Sequence, residues 1–463
     1  MQEGHSRGEK NWVLGVAALA SFMVALDTMV LTSALATIRT EFNAPMETLQ
    51  WTVNAYNLSF AVLLLTGAAL GDRFGRRRMF AVGIALFVLA SIGCAVSGSI
   101  VWLIAARAAQ GAAAALVMPL AMALLSGAFP REERARALGI FSGVTGFALI
   151  AGPAAGGALT EGFGWQWIFW INVPIGGAAL LMIATRLRES FGPKAGLDFA
   201  GLVLIAAAAF ALVWGLLRGN GAGWTSIEVL AALFCGLVLA AAFIGWELRA
   251  SAPMVPMRLF RAQVFSSGIL ASFLFYAAMY GVLFLLPQLL QNALGNTPLG
   301  AGLRLLPWTA TLFVTAPLAG AMVNKVGERT LVVAGLLMQA VGLGWIAFVV
   351  APGISYAALV APLILAGVGV SMAMPAVQNA VLSSVAVAEM GKASGIFNMA
   401  RFLGGVFGVA LLVATFSARG GNFAVGFAAA ITVAAILSLG GTIAGWWLPA
   451  ASRIVAAPKP EGA

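Results

Sequence analysis

The chain has 463 residues, of which 61% are hydrophobic and only 9% charged. A soluble fold carries about 25% charged residues, so a water-soluble enzyme or binding module is excluded. The net charge of +10 resembles that of a nucleic-acid binder, but in so apolar a chain it serves membrane topology and contact with anionic lipid.

Residues 1–11 form a short polar tail. A bilayer crossing needs roughly 20 apolar residues, and fourteen stretches qualify. They run Trp12–Ile38, Gln50–Leu70, Met79–Ser97, Val101–Gly127, Leu138–Thr160, Trp167–Thr185, Phe199–Leu217, Ile227–Trp246, Val264–Gln291, Ala301–Val323, Thr330–Val350, Tyr356–Val385, Ala393–Phe416 and Val425–Leu448. The expected fold is thus an all-α polytopic membrane protein. The first stretch is too long for a signal-peptide core and lacks a cleavage site, so it is expected to stay as a span. Of the 26 lysines and arginines, 20 fall on the side of the N-terminus. Three (Arg39, Arg218, Arg419) fall on the other side, and three (Arg107, Arg304, Arg401) lie inside spans. Lys and Arg are retained in the cytoplasm, so both termini are expected there, in a plasma or bacterial inner membrane. Cys94 and Cys235 sit in apolar runs, and no disulfide framework is indicated.

The first span carries Asp27 at mid-depth, followed by Thr28. It is the only acid deep in any span, and an acid there costs several kcal/mol unless it faces protein or water. Two readings stand: a proton-coupling group that also binds a cationic substrate, losing its proton when the cation arrives, or a fixed ion pair that holds helices together. The second span offers Trp51, Asn54, Tyr56 and Asn57 as cavity-lining candidates. Between spans two and three lies Gly67-Ala68-Ala69-Leu70-Gly71-Asp72-Arg73-Phe74-Gly75-Arg76-Arg77-Arg78. Gly75 suits a turn with positive φ.

This loop resembles that of the major facilitator superfamily, Gly-x-x-x-Asp-Arg-x-Gly-Arg-Arg, except that Ala68 stands at the first glycine. In that family the loop gates the inner face. The resemblance gives gating roles to Asp72, Arg73, Gly75 and Arg76, with the start of the thirteenth span, near Lys392-Ala393-Ser394, as the positive helix end that Asp72 meets. The fourth span has Arg107-Ala108-Ala109-Gln110-Gly111, similar to the family's Arg-x-x-Gln-Gly, and Arg107 is the expected partner of Asp27 in proton coupling. The fifth has Gly152-Pro153-Ala154-Ala155-Gly156-Gly157, similar to the exporter motif Gly-Pro-x-x-Gly-Gly. By themselves, small residues show only close helix packing and proline a bend. The export direction, and the gating role of Gly152, Pro153, Gly156 and Gly157, come from the resemblance.

Trp165-Gln166-Trp167-Ile168-Phe169-Trp170-Ile171-Asn172-Val173-Pro174 opens the sixth span. It resembles the signature of the 14-helix drug:proton antiporter branch, with Gln166 replacing an arginine. Its tryptophans are expected at the membrane interface, and Asn172 facing a cavity. In the ninth span Tyr276, Tyr280 and Phe284 recur at four-residue spacing and share a face, with Gln288 one turn on. Aromatic walls with a few polar groups suit bulky amphipathic cations; ordinary packing is the competing reading. Arg401, in the thirteenth span, is a further substrate-binding candidate whose partner the sequence does not name.

The chain repeats itself. Asp72-Arg73-Phe74-Gly75 returns as Asn324-Lys325-Val326-Gly327, and Gly111, Met118-Pro119 and Gly139-Ile140-Phe141 as Gly367, Met374-Pro375 and Gly395-Ile396-Phe397. Two six-helix halves follow, at residues 12–190 and 262–448, with a linker of two extra spans at 191–261 and a C-terminal tail at 449–463. Parallel halves around a midplane cavity are the architecture that the resemblance implies. There is no phosphate-binding Gly-x-x-x-x-Gly-Lys-Ser/Thr, and the single histidine, His5, is in the tail, so nothing points to an ATPase, a metal site or a membrane enzyme. The resemblance implies export of amphipathic, cationic compounds driven by the proton motive force, with no cofactor. The expected partners are a small-molecule substrate, protons and membrane lipid, without nucleic acid, in a monomer. With one deep acid, monovalent cations are expected to be handled better than divalent ones. A carrier dedicated to one antibiotic, nutrient or lipid and a non-transporting sensor are the alternatives.

Overall fold

The computed structural model describes residues 7–192, 196, 198–386, 389–419 and 422–449. Among these it is all helical, without a strand. The spans are α1 (Arg7–Glu41), α2 (Trp51–Phe74), α3 (Arg76–Ala95), α4 (Ile100–Ala128), α5 (Arg131–Phe163), α6 (Trp167–Arg186), α7 (Phe199–Ala222), α8 (Ile227–Glu247), α9 (Gln263–Asn292), α10 (Pro298–Val323), α11 (Glu328–Val349), α12 (Ala357–Ser383), α13 (Met390–Ala418) and α14 (Phe423–Trp446). Thirteen of these are long and apolar enough to cross a bilayer, and α5 makes a fourteenth when its two bent pieces count as one. This is a multi-pass membrane protein. A helix satisfies its own backbone groups, as a lipid-spanning segment must, and many helices run past the apolar stretch into polar ends.

Three spans are interrupted, and each has a break or bend just before a proline. A proline lacks the N–H owed to the carbonyl four residues back and crowds that carbonyl. Pro153 accounts for the 40° bend of α5 between Gly139–Ala148 and Ala151–Phe163. Pro174 follows the break of α6 at Ile171, and Pro307 that of α10 at Leu305. Pro119 and Pro287 sit in helices that continue through them.

The first six spans pack on one another, α1 chiefly on α5 and α4, and α2 on α4. The last six do likewise, α9 on α13 and α14, and α11 on α12 and α14. The two groups meet through α2 against α13, α1 against α9, and α5 against the start of α10. The linker helices pair with each other, and α7 also packs on both α2 and α13. Its buried face is Ala208, Ala209, Val213 and Leu217, and Phe210 meets Trp51 at 5.7 Å. The linker therefore covers the seam between the halves on the lipid side, while α8 exposes Leu230, Phe234 and Leu237.

One face of the bundle carries the Arg73–Arg78 loop. On the opposite face the groups are tied together. Gln291 Nε2 donates to the Ser33 carbonyl at 3.0 Å, and the Leu299 N–H donates to Glu161 Oε2 at 3.3 Å. Toward the arginine-rich face, α10 leaves Val314, Leu318 and Met322 exposed. Trp165 is not an interface anchor: it is buried, and its Nε1 donates to Glu41 Oε2 at 2.7 Å, fixing the end of α1. Trp167 does lie exposed at that face.

Candidate functional site

Asp27 lies 1% exposed between α1, α4 and α6. Its Oδ2 accepts from Arg107 Nη1 at 2.5 Å. Its Oδ1 accepts from Gln110 Nε2 at 2.7 Å and from Asn172 Nδ2 at 3.0 Å. Both carboxylate oxygens are thus held by donors, which a buried charge requires. Arg107, equally buried, also donates from Nε to the Thr52 carbonyl at 3.0 Å and from Nη1 to Gln110 Oε1 at 2.7 Å. The Tyr56 ring covers its guanidinium at 4.3 Å. Gln110 and Asn172 both donate to Ser91 Oγ. Arg107 and Gln110 are three residues apart and so share a face of α4, which is how one helix delivers a cation and an amide to the same carboxylate.

Two expectations change here. Asn172 does not line a substrate cavity; it is wholly buried and completes the shell of Asp27. Asp27 is already neutralised, so the site presents no free acid to a cationic substrate. In the sequence Gln110 stands only as part of the Arg-x-x-Gln-Gly motif, without a role, and Ser91 is not singled out at all. A polar residue three places from Arg107 was the available signal for Gln110; a single serine in a span carries none.

The other candidates divide. Tyr280 lines a small cavity between the halves, with Met29, Trp308 and Arg401. Tyr276 is buried under the Arg401 guanidinium, 4.9 Å from its ring centre. Phe284 and Gln288 are buried in α9 but do not line that cavity. Asn54 and Asn57 are fully buried, and neither amide has a protein hydrogen-bond partner among the described residues. Such groups are costly to leave unpaired, and a polar ligand atom would satisfy them. Tyr56 belongs to the Arg107 site, not to the cavity.

The glycines of α5 sit where the two halves meet. A side chain on Gly152 would strike Met29, and one on Gly156 the Val30 backbone. One on Gly157 would strike the backbone of Pro298 and Leu299 at the start of α10, and one on Gly302 the backbone of Pro153. Ser33 Oγ donates to the Pro153 carbonyl at 2.7 Å. Gly157→Val should therefore hold this face apart. Thiol labelling of a cysteine placed at Leu299 should rise and transport should fall, while equal labelling in variant and parent would show that Gly157 does not control closure.

The arginine-rich loop is organised by a residue with no motif of its own. Glu189 accepts from the N–H groups of Arg77 at 2.8 Å and Arg78 at 3.2 Å. This carboxylate thereby caps the positive start of α3. Gly75 has φ 105°, as expected, and Arg77 donates to the carbonyls of Ile183 and Ala184. Asp72, at the end of α2, pairs with Arg76, at the start of α3, at 2.8 Å across the Gly75 turn. It makes no hydrogen bond or ion pair with Lys392, Ala393 or Ser394 among the described contacts, so the expected partner across the halves is replaced by a neighbour in the same loop. Arg73 is exposed beside Phe74. A partly exposed pair of this kind contributes at most about 1 kcal/mol. Asp72→Asn should leave the unfolding temperature nearly unchanged and shift thiol labelling at a cysteine placed beside the loop. Unchanged labelling and transport would remove Asp72 from the conformational cycle.

Comparisons with known proteins identify the family and the fold. The family model described as Major Facilitator Superfamily matches residues 17–270 and 268–463. The multidrug resistance protein Stp of Mycobacterium tuberculosis (strain CDC 1551 / Oshkosh) is 36% identical over 396 residues, covering 85% of this chain and 73% of that protein. The tetracenomycin C resistance and export protein of Streptomyces glaucescens is 35% identical over 420 residues, 90% of this chain and 78% of its own length. Among solved structures, the xylose transporter XylE from E. coli superposes with a TM-score of 0.66 at 15% identity, covering 96% of this chain and 98% of that one; this likeness concerns the fold.

Proposed function

The chain belongs to the major facilitator superfamily of membrane transporters, and from that premise we propose that it is a proton-coupled exporter of amphipathic compounds, an antiporter working by alternating access. The relatives named for multidrug resistance and for antibiotic export support the direction. One observation carries the coupling: a single deep carboxylate, Asp27, held by Arg107, Gln110 and Asn172, lies within two turns of the residues of α1 that close the opposite face. Those residues are Met29 and Val30 against the α5 glycines, and Ser33 against Gln291. A proton on Asp27 cancels its charge and weakens its hold on Arg107, so α1 and α4 loosen where α1 also supports the closure. A ligand or proton shifts a two-state equilibrium only by its differential affinity for the two states, and the proposal places that difference in the hold of Asp27 on Arg107.

In this reading the arginine-rich face and both termini are cytoplasmic, in the bacterial inner membrane, by the distribution of Lys and Arg. The opposite, external face is closed, and the cavity waits for substrate from the cytoplasm. The protein acts as a monomer in lipid, driven by the proton motive force and without a cofactor. A carrier dedicated to one compound is the second reading, favoured by the relative named for tetracenomycin C. Everted vesicles energised to an acid interior test the proposal. Adding substrates from a panel of lipophilic cations, neutral drugs and aromatic anions should dissipate the pH gradient only when the protein is present. Silence across the whole panel would sink multidrug export and favour the dedicated carrier.

A further inference from the structure

The cavity between the halves is positively charged. Arg401, on α13, lines it together with Met29, Met279, Tyr280, Trp308 and Met374. Among the described residues Arg401 has no carboxylate partner. Its Nη2 donates to Tyr280 Oη over 3.4 Å, its Cζ lies 4.9 Å from the Tyr276 ring centre and 5.3 Å from that of Phe402, and its Nε is buried without a hydrogen bond. The polar groups that face the cavity from the neighbouring helices are neutral: Thr309 on α10 and Ser371 on α12, with the Ser371 hydroxyl 3.1 Å from that of Thr311. The one deep acid, Asp27, is consumed by Arg107 outside this cavity. The charge that a substrate meets here is therefore that of a guanidinium with a donor to spare.

We propose that Arg401 is the substrate-recognition group of this cavity, and that it selects planar aromatic compounds carrying a carboxylate, phenolate or sulfonate, in preference to cations. This rests on the reading of the chain as an exporter whose substrate binds between the halves. A guanidinium holds such anions through paired N–H bonds, and an unpaired buried one gains most by meeting them. Tyr276, Tyr280 and Trp308 offer aromatic surface to a flat ring. Met29, Met279 and Met374 are flexible and polarisable, so the wall adapts to different outlines. The cavity holds about 60 Å³ in this state, roughly the space of two waters, so a drug-sized ligand enters only as the halves part. A cation placed beside Arg401 meets like-charge repulsion in a low-dielectric site.

The test is equilibrium binding to the purified full-length protein in nanodiscs, with no proton gradient. The probes are fluorescein and a rhodamine ester, which share a three-ring frame and carry opposite charge. Wild type should bind fluorescein at least about tenfold more tightly than the rhodamine ester, a difference of about 1.4 kcal/mol. Arg401→Gln should remove that preference, and Arg401→Lys should keep part of it, the charge remaining without the planar fork. The wild-type comparison decides the sign of the preference even if a variant folds poorly. Tighter binding of the rhodamine ester, absence of fluorescein binding, or unchanged fluorescein affinity in folded Arg401→Gln would overturn the assignment. Because no gradient is used, fluorescein binding that depends on Arg401 without antiport would sink the exporter reading alone, and antiport indifferent to Arg401 would sink this inference alone.

Discussion

Arg107→Met should destabilise the folded protein by about 3–5 kcal/mol, the usual result of removing one partner from a buried ion pair, and most of that loss should return in the double variant Asp27→Asn/Arg107→Met. The single change leaves the Asp27 carboxylate buried at 1% exposure with only Gln110 and Asn172 as donors. It also removes the donor to the Thr52 carbonyl and the cation under the Tyr56 ring. The double change leaves a neutral amide that the same two donors still reach, and methionine fills much of the volume of the lost side chain. Buried pairs replaced by neutral residues of similar shape are often no less stable than the original. Thermal unfolding of the purified proteins in one detergent measures all the forms. A double variant as unstable as Arg107→Met would mean that the cost is lost packing and lost bonds of Arg107, and not the stranded charge.

Asp27→Asn should abolish substrate-driven proton movement, lowering it to the level of vesicles that lack the protein, while the protein stays folded and continues to bind. Asparagine preserves the outline of the site. Arg107 keeps the Thr52 carbonyl, Gln110 Oε1 and the Tyr56 ring, and an amide oxygen remains at position 27. What disappears is a group that takes and releases a proton. Among the acids in the sequence Asp27 alone lies deep in a span, so no second carboxylate at that depth stands ready to replace it. The assay is the pH gradient of everted vesicles, with probe binding measured in parallel. Equal proton movement in variant and wild type would make Asp27 a structural member of an ion pair and move the coupling elsewhere.

Much of the architecture was legible in the sequence because the signals are local. Apolar length sets the spans, and Pro153 marked the bend of α5, since a proline removes one backbone donor from its own helix. Pro174 and Pro307 carried no such reading, because Pro119 and Pro287 sit in helices that continue through them. The depth of Asp27 announced that it must have partners, and the register of Arg107 with Gln110 on one helix face was already fixed by the 3.6-residue turn. Which groups meet across helices was not legible. Asn172 looked like a cavity residue and is a ligand of Asp27; Asp72 looked like a clasp between the halves and pairs with Arg76. Glu189 caps α3 from 112 residues away in sequence, and no motif marks it. Arg401 was visible as a charge in a span, but that it stands unpaired between aromatic rings, facing the cavity, depends on how α9, α10, α12 and α13 are rotated against one another. The sequence by itself determined that this is a many-spanned membrane protein with one deep acid and a cation suited to it. Only the tertiary structure decided that the two are spent on each other, leaving the cavity positive, because a polar residue in a span reveals that it needs a partner, while helix packing alone selects which partner it meets.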